Sequence, residues 1–464
     1  MRIPFDLIAA LVCVEGIRHF SYEHAGAHLS DPTLTQVLTL WGGFLLICWL
    51  SSEWVVRDAE WRTRFGMLPS GHKSRRHPLE ILGWTTHAAQ ALTVLVFAAV
   101  VWLLRWPQLT LNWPAWIGLD PNVSIGRLYL AESALASIPL NAGPFLLGMI
   151  AGWIPRRRLA AGIRGRPIPL LSFVGFEARL TWIPVALSMF QALVRDVSEI
   201  LPEHFTAWTA EPGMDIILML GTMLFVSAYA LPKLVIWLWQ CRPLPDGELK
   251  QRLVALLNRS GVKTRDILTW GPRGSNLLNA CVLGMWPRYR FVLISPALAE
   301  ELTLEETEAV LAHELGHARH GHLTLLFVML LALLALLGIV LLAFDSPIAQ
   351  IAAVLIFLVV YIRFVFGAIM RQCEREADLA SAELMGTPVP LVTALEKLAI
   401  ITGNIRNVWS WHHGSMAERV NAVMSLSSDP AGSYFFHRRL RRFRIAFTVT
   451  TLAVLGAEIF SKLV

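Results

Sequence analysis

The stretch EAVLAHELGHARHGHLTLLFVMLLALLALLGIVLLAF, residues 308–344, joins two kinds of chemistry with no linker between them. Its first part carries His313-Glu314-Leu315-Gly316-His317, an H-E-x-x-H. Its second part is a run of Leu, Ala and Val long enough to cross a bilayer, for which about 20 helical residues suffice. On a helix, residues four apart lie about 40° from each other on one face and one turn along. His313 and His317 can therefore reach one metal ion, and Glu314 beside them is placed to take a proton from water. The same pattern also arises by chance, as solvated histidines. His320 and His322 add a rival ligand and, on an uninterrupted helix, a ring pointing to the opposite side. That pair reads as interfacial histidines. A Thr303–Glu306 capping box marks where the helix begins.

Working outward, apolar runs recur along the 464 residues, of which 55% are hydrophobic and only 16% charged. Soluble proteins carry about 25% charged residues, so the composition points to lipid. Spans are expected near 33–52, 84–105, 130–153, 169–194, 214–239, 323–343, 348–370 and 445–463. A ninth at 3–20 is interrupted by Asp6, Glu15 and Arg18, and a secretory signal peptide is its alternative reading.

The net charge of +6 does not point to nucleic acid, because the arginines are gathered in particular loops. Arg57, Arg62, Arg64, Lys73, Arg75 and Arg76 fill one loop, and Arg156, Arg157, Arg158, Arg164 and Arg166 another. A third group, Arg438, Arg439, Arg441, Arg442 and Arg444, precedes the last span, while the intervening loops are poor in Lys and Arg. This alternation is the positive-inside pattern and makes the basic loops cytoplasmic. The five cysteines are scattered and form no metal or redox motif.

The expected organisation is a multi-span membrane domain over 1–240, then polar regions 241–322 and 371–444 separated by a transmembrane hairpin at 323–370. A C-terminal membrane helix covers 445–464. A hairpin returns the chain to the side it left, so both polar regions meet on the cytoplasmic face. The fold class is thus mostly α and polytopic, with about eight or nine transmembrane helices and an α+β catalytic domain split by the hairpin. Residues 246–261 read as a helix with a glycine stop. NACVLG (279–284) and YRFVLIS (289–295) read as a β-hairpin.

Catalytic zinc needs a third protein ligand and an open fourth position. RQCEREADLASAELMG (371–386) offers Glu374, with Asp378 one turn on to accept the N–H of a liganding histidine. Glu376 lies about 200° from Glu374 and is expected to be solvated or ion-paired. An amphipathic helix with surface acids is the competing reading of this segment.

Four patterns occur together and in order: NACVLG, LEETEAVLAHELGHARHGH (304–322), EREAD (374–378) and HHGSMAERV (412–420). In these the chain resembles the integral-membrane zinc metallopeptidases of the CAAX prenyl protease and HtpX type, over roughly residues 245–425. The resemblance implies a zincin-like domain with one zinc ion on His313, His317 and Glu374, and Glu314 as general base. It further implies Asp378 and Arg419 supporting the ligands, His413 at the oxyanion, and Asn279 and Ala280 on an edge strand that pairs with substrate. Gly414 stands where that family usually has proline, which would loosen His413, and residues 1–240 align with nothing in it. The implied reaction is amide hydrolysis without a covalent intermediate, on protein or peptide substrates presented at the bilayer.

Two other classes are open to the sequence. Glu177, Arg179, Asp215, Lys233 and Arg363 lie in or near apolar spans, as transporter residues do. The unmatched N-terminal half would also suit a membrane sensor that regulates a protease domain.

Overall fold

The structure is a computed structural model that describes residues 33–64, 78–120, 122–164, 167–201, 214–270, 278–344, 346–402 and 405–463. The chain divides into two compact units, Met1–Ala210 and Glu211–Val464.

In the first unit, α1 (Leu34–Arg64), α2 (Pro78–Leu104), α5 (Ala134–Arg164) and α6 (Leu170–Ile200) are long helices. Short helices α3 (Trp106–Leu111) and α4 (Trp113–Trp116) and a two-stranded ribbon, β1 (Ser124–Ile125) and β2 (Leu128–Tyr129), lie between α2 and α5. Phe44, Phe97 and Phe145 bring α1, α2 and α5 together in a buried aromatic cluster, with Phe97 and Phe145 edge to face at 5.0 Å. Glu53 is buried and receives Arg57 at 2.9 Å and Arg158 at 2.7 Å, which compensates its removal from water.

The second unit opens with α7 (Met214–Phe225), a π-helical turn at Val226–Ala230 and α8 (Leu231–Leu238). A four-stranded sheet follows, ordered β3 (Arg242–Pro243), β4 (Asp266–Thr269), β6 (Phe291–Ile294) and β5 (Ala280–Leu283). The expected hairpin is β5 against β6, antiparallel, with Ala280 opposite Ile294. β6 also pairs in parallel with β4. All four of its residues are buried, as its unbroken apolar run requires of a central strand. Helix α9 (Glu248–Ser260) ends at Gly261, as the sequence reading has it.

After α10 (Pro296–Glu301) comes α11 (Leu304–Arg319), which begins at the Thr303–Glu306 capping box. Leu253 and Leu256 of α9, Val292 and Ile294 of the sheet, and Leu311 and Leu315 of α11 form one core. Each such buried Leu stabilises the fold by about 1.5–3 kcal/mol, so the motif helix is held rigidly on the sheet.

The expectation of one uninterrupted helix from His313 into the membrane is corrected. Gly321 adopts a left-handed conformation, φ +72°, ending α11, and a separate helix α12 (His322–Leu342) starts after it. Helix α13 (Pro347–Val360) returns as the second arm of the hairpin and runs through a π-helical segment, Tyr361–Phe366, into α14 (Gly367–Met385). Helices α15 (Val389–Ile401), α16 (Met416–Ser427) and α17 (Pro430–Leu463) complete the unit.

Among the described residues, six helices are long and apolar enough to cross a membrane. They are Leu34–Trp61, Thr85–Leu104, Ala134–Leu159, Leu220–Leu238, His322–Val340 and Ala352–Met385. In the last, the apolar character ends at Met370, and charged residues follow from Arg371. Leu95, Ile356, Val359 and Phe364 point outward and exposed, the position of lipid-facing side chains. These six are fewer than the expected eight or nine, and they are drawn from the described residues alone. The runs at 169–194 and 445–463 lie within α6 and α17, and 3–20 lies outside the described residues. Of the charges that a transport reading would need, Lys233 sits over the Tyr229 ring at 3.8 Å and Arg363 over Trp409 at 4.9 Å.

Candidate metal centre

Helices α11 and α14 cross at Gly316. A Cβ built there would lie 3.0 Å from the Ala377 Cα and 3.1 Å from the Ala380 Cβ, so only glycine permits this approach. One turn further along, the Ser381 hydroxyl donates to the Ala309 carbonyl at 2.7 Å. The crossing carries Glu374 from α14 to the two histidines of α11, which the sequence separates by more than fifty residues.

His313 Nε2 lies 3.2 Å from His317 Nε2. Glu374 Oε2 is 3.7 Å from the first of these nitrogens, and Oε1 is 3.6 Å from the second. Tetrahedral zinc with bonds of about 2.0 Å holds its ligand atoms about 3.3 Å apart. The two nitrogens and the carboxylate facing them therefore suit a small divalent ion, and two imidazoles with one carboxylate are a donor set that zinc accepts. Burial, followed by the neighbouring His313, holds the His317 ring well below the usual histidine range, keeping it neutral as a ligand must be.

His313 presents its other nitrogen, Nδ1, to Asp378 Oδ1 at 2.8 Å. That contact fixes the tautomer that leaves Nε2 free. Arg419 holds Asp378 through two bonds, Nη2 to Oδ1 at 2.6 Å and Nε to Oδ2 at 2.9 Å. Its Nη1 is also 3.3 Å from Glu374 Oε2, so one guanidinium locks both carboxylates.

Burial pushes the Glu314 carboxyl up to about 7, against the opposing pull of His313 and, more weakly, of the Val282 backbone. A carboxyl poised near neutrality suits a general base. Val282 belongs to β5, which among the described residues pairs only with β6 and is an edge strand. Asn279 gives both backbone groups to Ser295, its carbonyl at 2.9 Å and its N–H to the hydroxyl at 3.1 Å. By antiparallel alternation, the backbone groups facing the open edge are those of Ala280 and Val282.

His413 Nδ1 is 3.0 Å from Glu374 Oε1 but lies off hydrogen-bond alignment. Its loop is closed by two backbone bonds between Ser410 and Gly414, at 3.1 and 2.9 Å. Gly414 has φ +75°, which proline cannot adopt. Glycine here therefore closes the turn, and the expected loosening of His413 is corrected.

Sequence reasoning missed the surroundings of two residues. Glu376 is fully buried, so the expected solvation is absent, while the expected ion pair is present with Arg444. His322 does not point away from the centre, since its Nδ1 is 2.8 Å from His317 Nδ1. Both follow from the break at Gly321, after which His322 meets His317 and Glu376.

Residues 243–427 match the model of Peptidase family M48. A CAAX prenyl protease 1 homolog of Arabidopsis thaliana is 27% identical over 205 residues, covering 39% of this chain and 48% of that protein. A Protease HtpX homolog of Moorella thermoacetica is 28% identical over 206 residues, covering 40% of this chain and 66% of that protein. The matched segment thus spans about half to two thirds of the length of these curated relatives. The crystal structure of S. mikatae Ste24p covers 85% of this chain and all of its own at 18% identity, with a TM-score of 0.41. Together with the histidine–glutamate centre and the apolar helices, the family match makes residues 243–427 a peptidase family M48 segment, of the membrane zinc metallopeptidase type.

Proposed function

We propose that this chain is a multi-pass membrane zinc metalloendopeptidase that hydrolyses peptide bonds of membrane-associated or misfolded membrane proteins. One zinc ion per chain would be held by His313, His317 and Glu374. The observation that carries this reading is the pair of Nε2 atoms 3.2 Å apart, each facing one oxygen of Glu374 at 3.7 and 3.6 Å, with Glu314 on the same helix as the two histidines.

When bound, zinc supplies a Lewis acid that polarises the scissile carbonyl and eases deprotonation of water. Glu314 takes that proton and passes it to the leaving amine. His413 steadies the oxyanion after turning from Glu374, and Asp378 and Arg419 keep the ligands in place. An extended substrate pairs with the open edge of β5 at Ala280, with Asn279 fixing the strand's end through Ser295. The arginine clusters, which lie largely on the ends of α1, α5 and α17, support a cytoplasmic catalytic side in the plasma or inner membrane, and an eight- or nine-span topology. Because α12 starts at His322, the centre stands next to the lipid surface, which favours substrates presented there.

The test is cleavage by the full chain in proteoliposomes of one peptide offered twice, tethered to a transmembrane helix and free in solution. Faster cleavage of the tethered form at matched bulk concentration supports the reading. Equal rates would contradict the membrane-substrate part of it.

A further inference from the structure

The two histidines of the centre are supported differently. His313 leans on Asp378, a carboxylate, directly. His317 Nδ1 instead meets another imidazole, His322 Nδ1, at 2.8 Å. His322 Nε2 in turn lies 2.8 Å from Glu376 Oε2. Glu376 receives Arg444 on the same oxygen and His437 Nδ1 on Oε1 at 3.1 Å. His437 spans onward to Glu383, its Nε2 at 3.3 Å.

Only one proton arrangement fits this chain. A metal on His317 Nε2 leaves the proton on Nδ1, which must donate to a lone pair on His322 Nδ1. His322 is then the Nε2–H tautomer and donates to Glu376. Each imidazole is neutral and each has one tautomer, so orientation passes without ambiguity from a carboxylate to a ligand two bonds away. The cluster itself is closed by the protein's own cations. His320, Glu376 and His437 offer three ligand-type atoms within 4.8 Å, but Arg444 sits on the carboxylate and His437 meets a carboxylate at each nitrogen.

Resting on the metal reading above, we infer that His322 is a positioning residue for the metal ligand His317, held by Glu376, which α17 anchors through Arg444 and His437. The first part of α17 is thereby tied to the metal centre. Partners of this kind orient a ligand ring and raise its basicity, and their removal typically weakens metal binding by about 10–100-fold.

The experiment uses the full-length protein in detergent. Zinc affinity is measured by chelator competition and the cobalt-substituted form by its visible absorption. His322→Phe, which keeps the ring but neither bond, is compared with His322→Gln, which keeps an acceptor and a donor. His313→Ala is the control, and the thermal midpoint of each metal-free form is recorded. Expected are zinc binding about 10–100-fold weaker and a changed cobalt spectrum in His322→Phe, with partial recovery in His322→Gln. Unchanged affinity and spectrum in His322→Phe would overturn the inference while leaving the centre standing. So would a loss that follows the metal-free thermal midpoint with no spectral change. Metal retained in full by His313→Ala would overturn the metal reading itself, and the inference with it.

Discussion

Replacing Gly316 with alanine tests the packing that assembles the centre. The new Cβ would sit 3.0 Å from the Ala377 Cα and 3.1 Å from both the Ala377 carbonyl oxygen and the Ala380 Cβ. Comfortable carbon contacts are about 3.5–4.0 Å, so α11 and α14 must part by about half an ångström. Without metal the helices relax to that separation, and the alanine recovers about 1 kcal/mol of helix propensity. With metal, the ion draws Glu374 back to the histidines and recompresses the contact, at the about 1–3 kcal/mol typical of overpacking. That cost falls on the bound state alone and appears as a dissociation constant raised about 5- to 150-fold. Chelator competition reads it directly. Gly338→Ala is the control, since its Cβ would meet nothing within 4 Å. Wild-type zinc affinity in Gly316→Ala would refute the claim that this crossing sets the ligand geometry.

Three further outcomes are expected. Gly414→Ala places a side chain at φ +75° at a cost of about 1–2 kcal/mol, so peptide hydrolysis should fall while zinc content holds. Thr303→Ala removes the cap of α11 and should lower stability by about 1 kcal/mol, read as a shifted denaturation midpoint. His437 is raised from 6.5 to about 9 by its bonds to Glu376 and then Glu383. A folded pKa above the unfolded one means this stabilisation is full below about pH 6.5 and is lost as the pH rises through about 9. Denaturation midpoints should therefore drop across that window in the wild type and drop less in His437→Gln; equal slopes would contradict the assignment.

Much of the centre was legible because its chemistry is local. Spacing alone put His313 and His317 on one face, and Thr303 and Glu306 announced the helix start. The third ligand was legible as a type at a spacing, yet bringing it to the histidines needs the close approach at Gly316. The angular reading of Glu376 was sound, since it faces away from Glu374. The inference of solvent was not, because α12 and α17 cover that side and supply His322, His437 and Arg444. Gly321 inside a periodic run reads as a tolerated glycine, and only its backbone conformation reveals a break. Strand β3, of two residues, is too short to leave a period-two pattern.

The central claim is tested most directly by metal content and hydrolysis measured together on the wild type, Glu314→Gln and His313→Ala. The account predicts one zinc per chain in the first two, hydrolysis in the wild type alone, and no retained zinc in His313→Ala. Zinc held equally by all three, or hydrolysis surviving in Glu314→Gln, would contradict it.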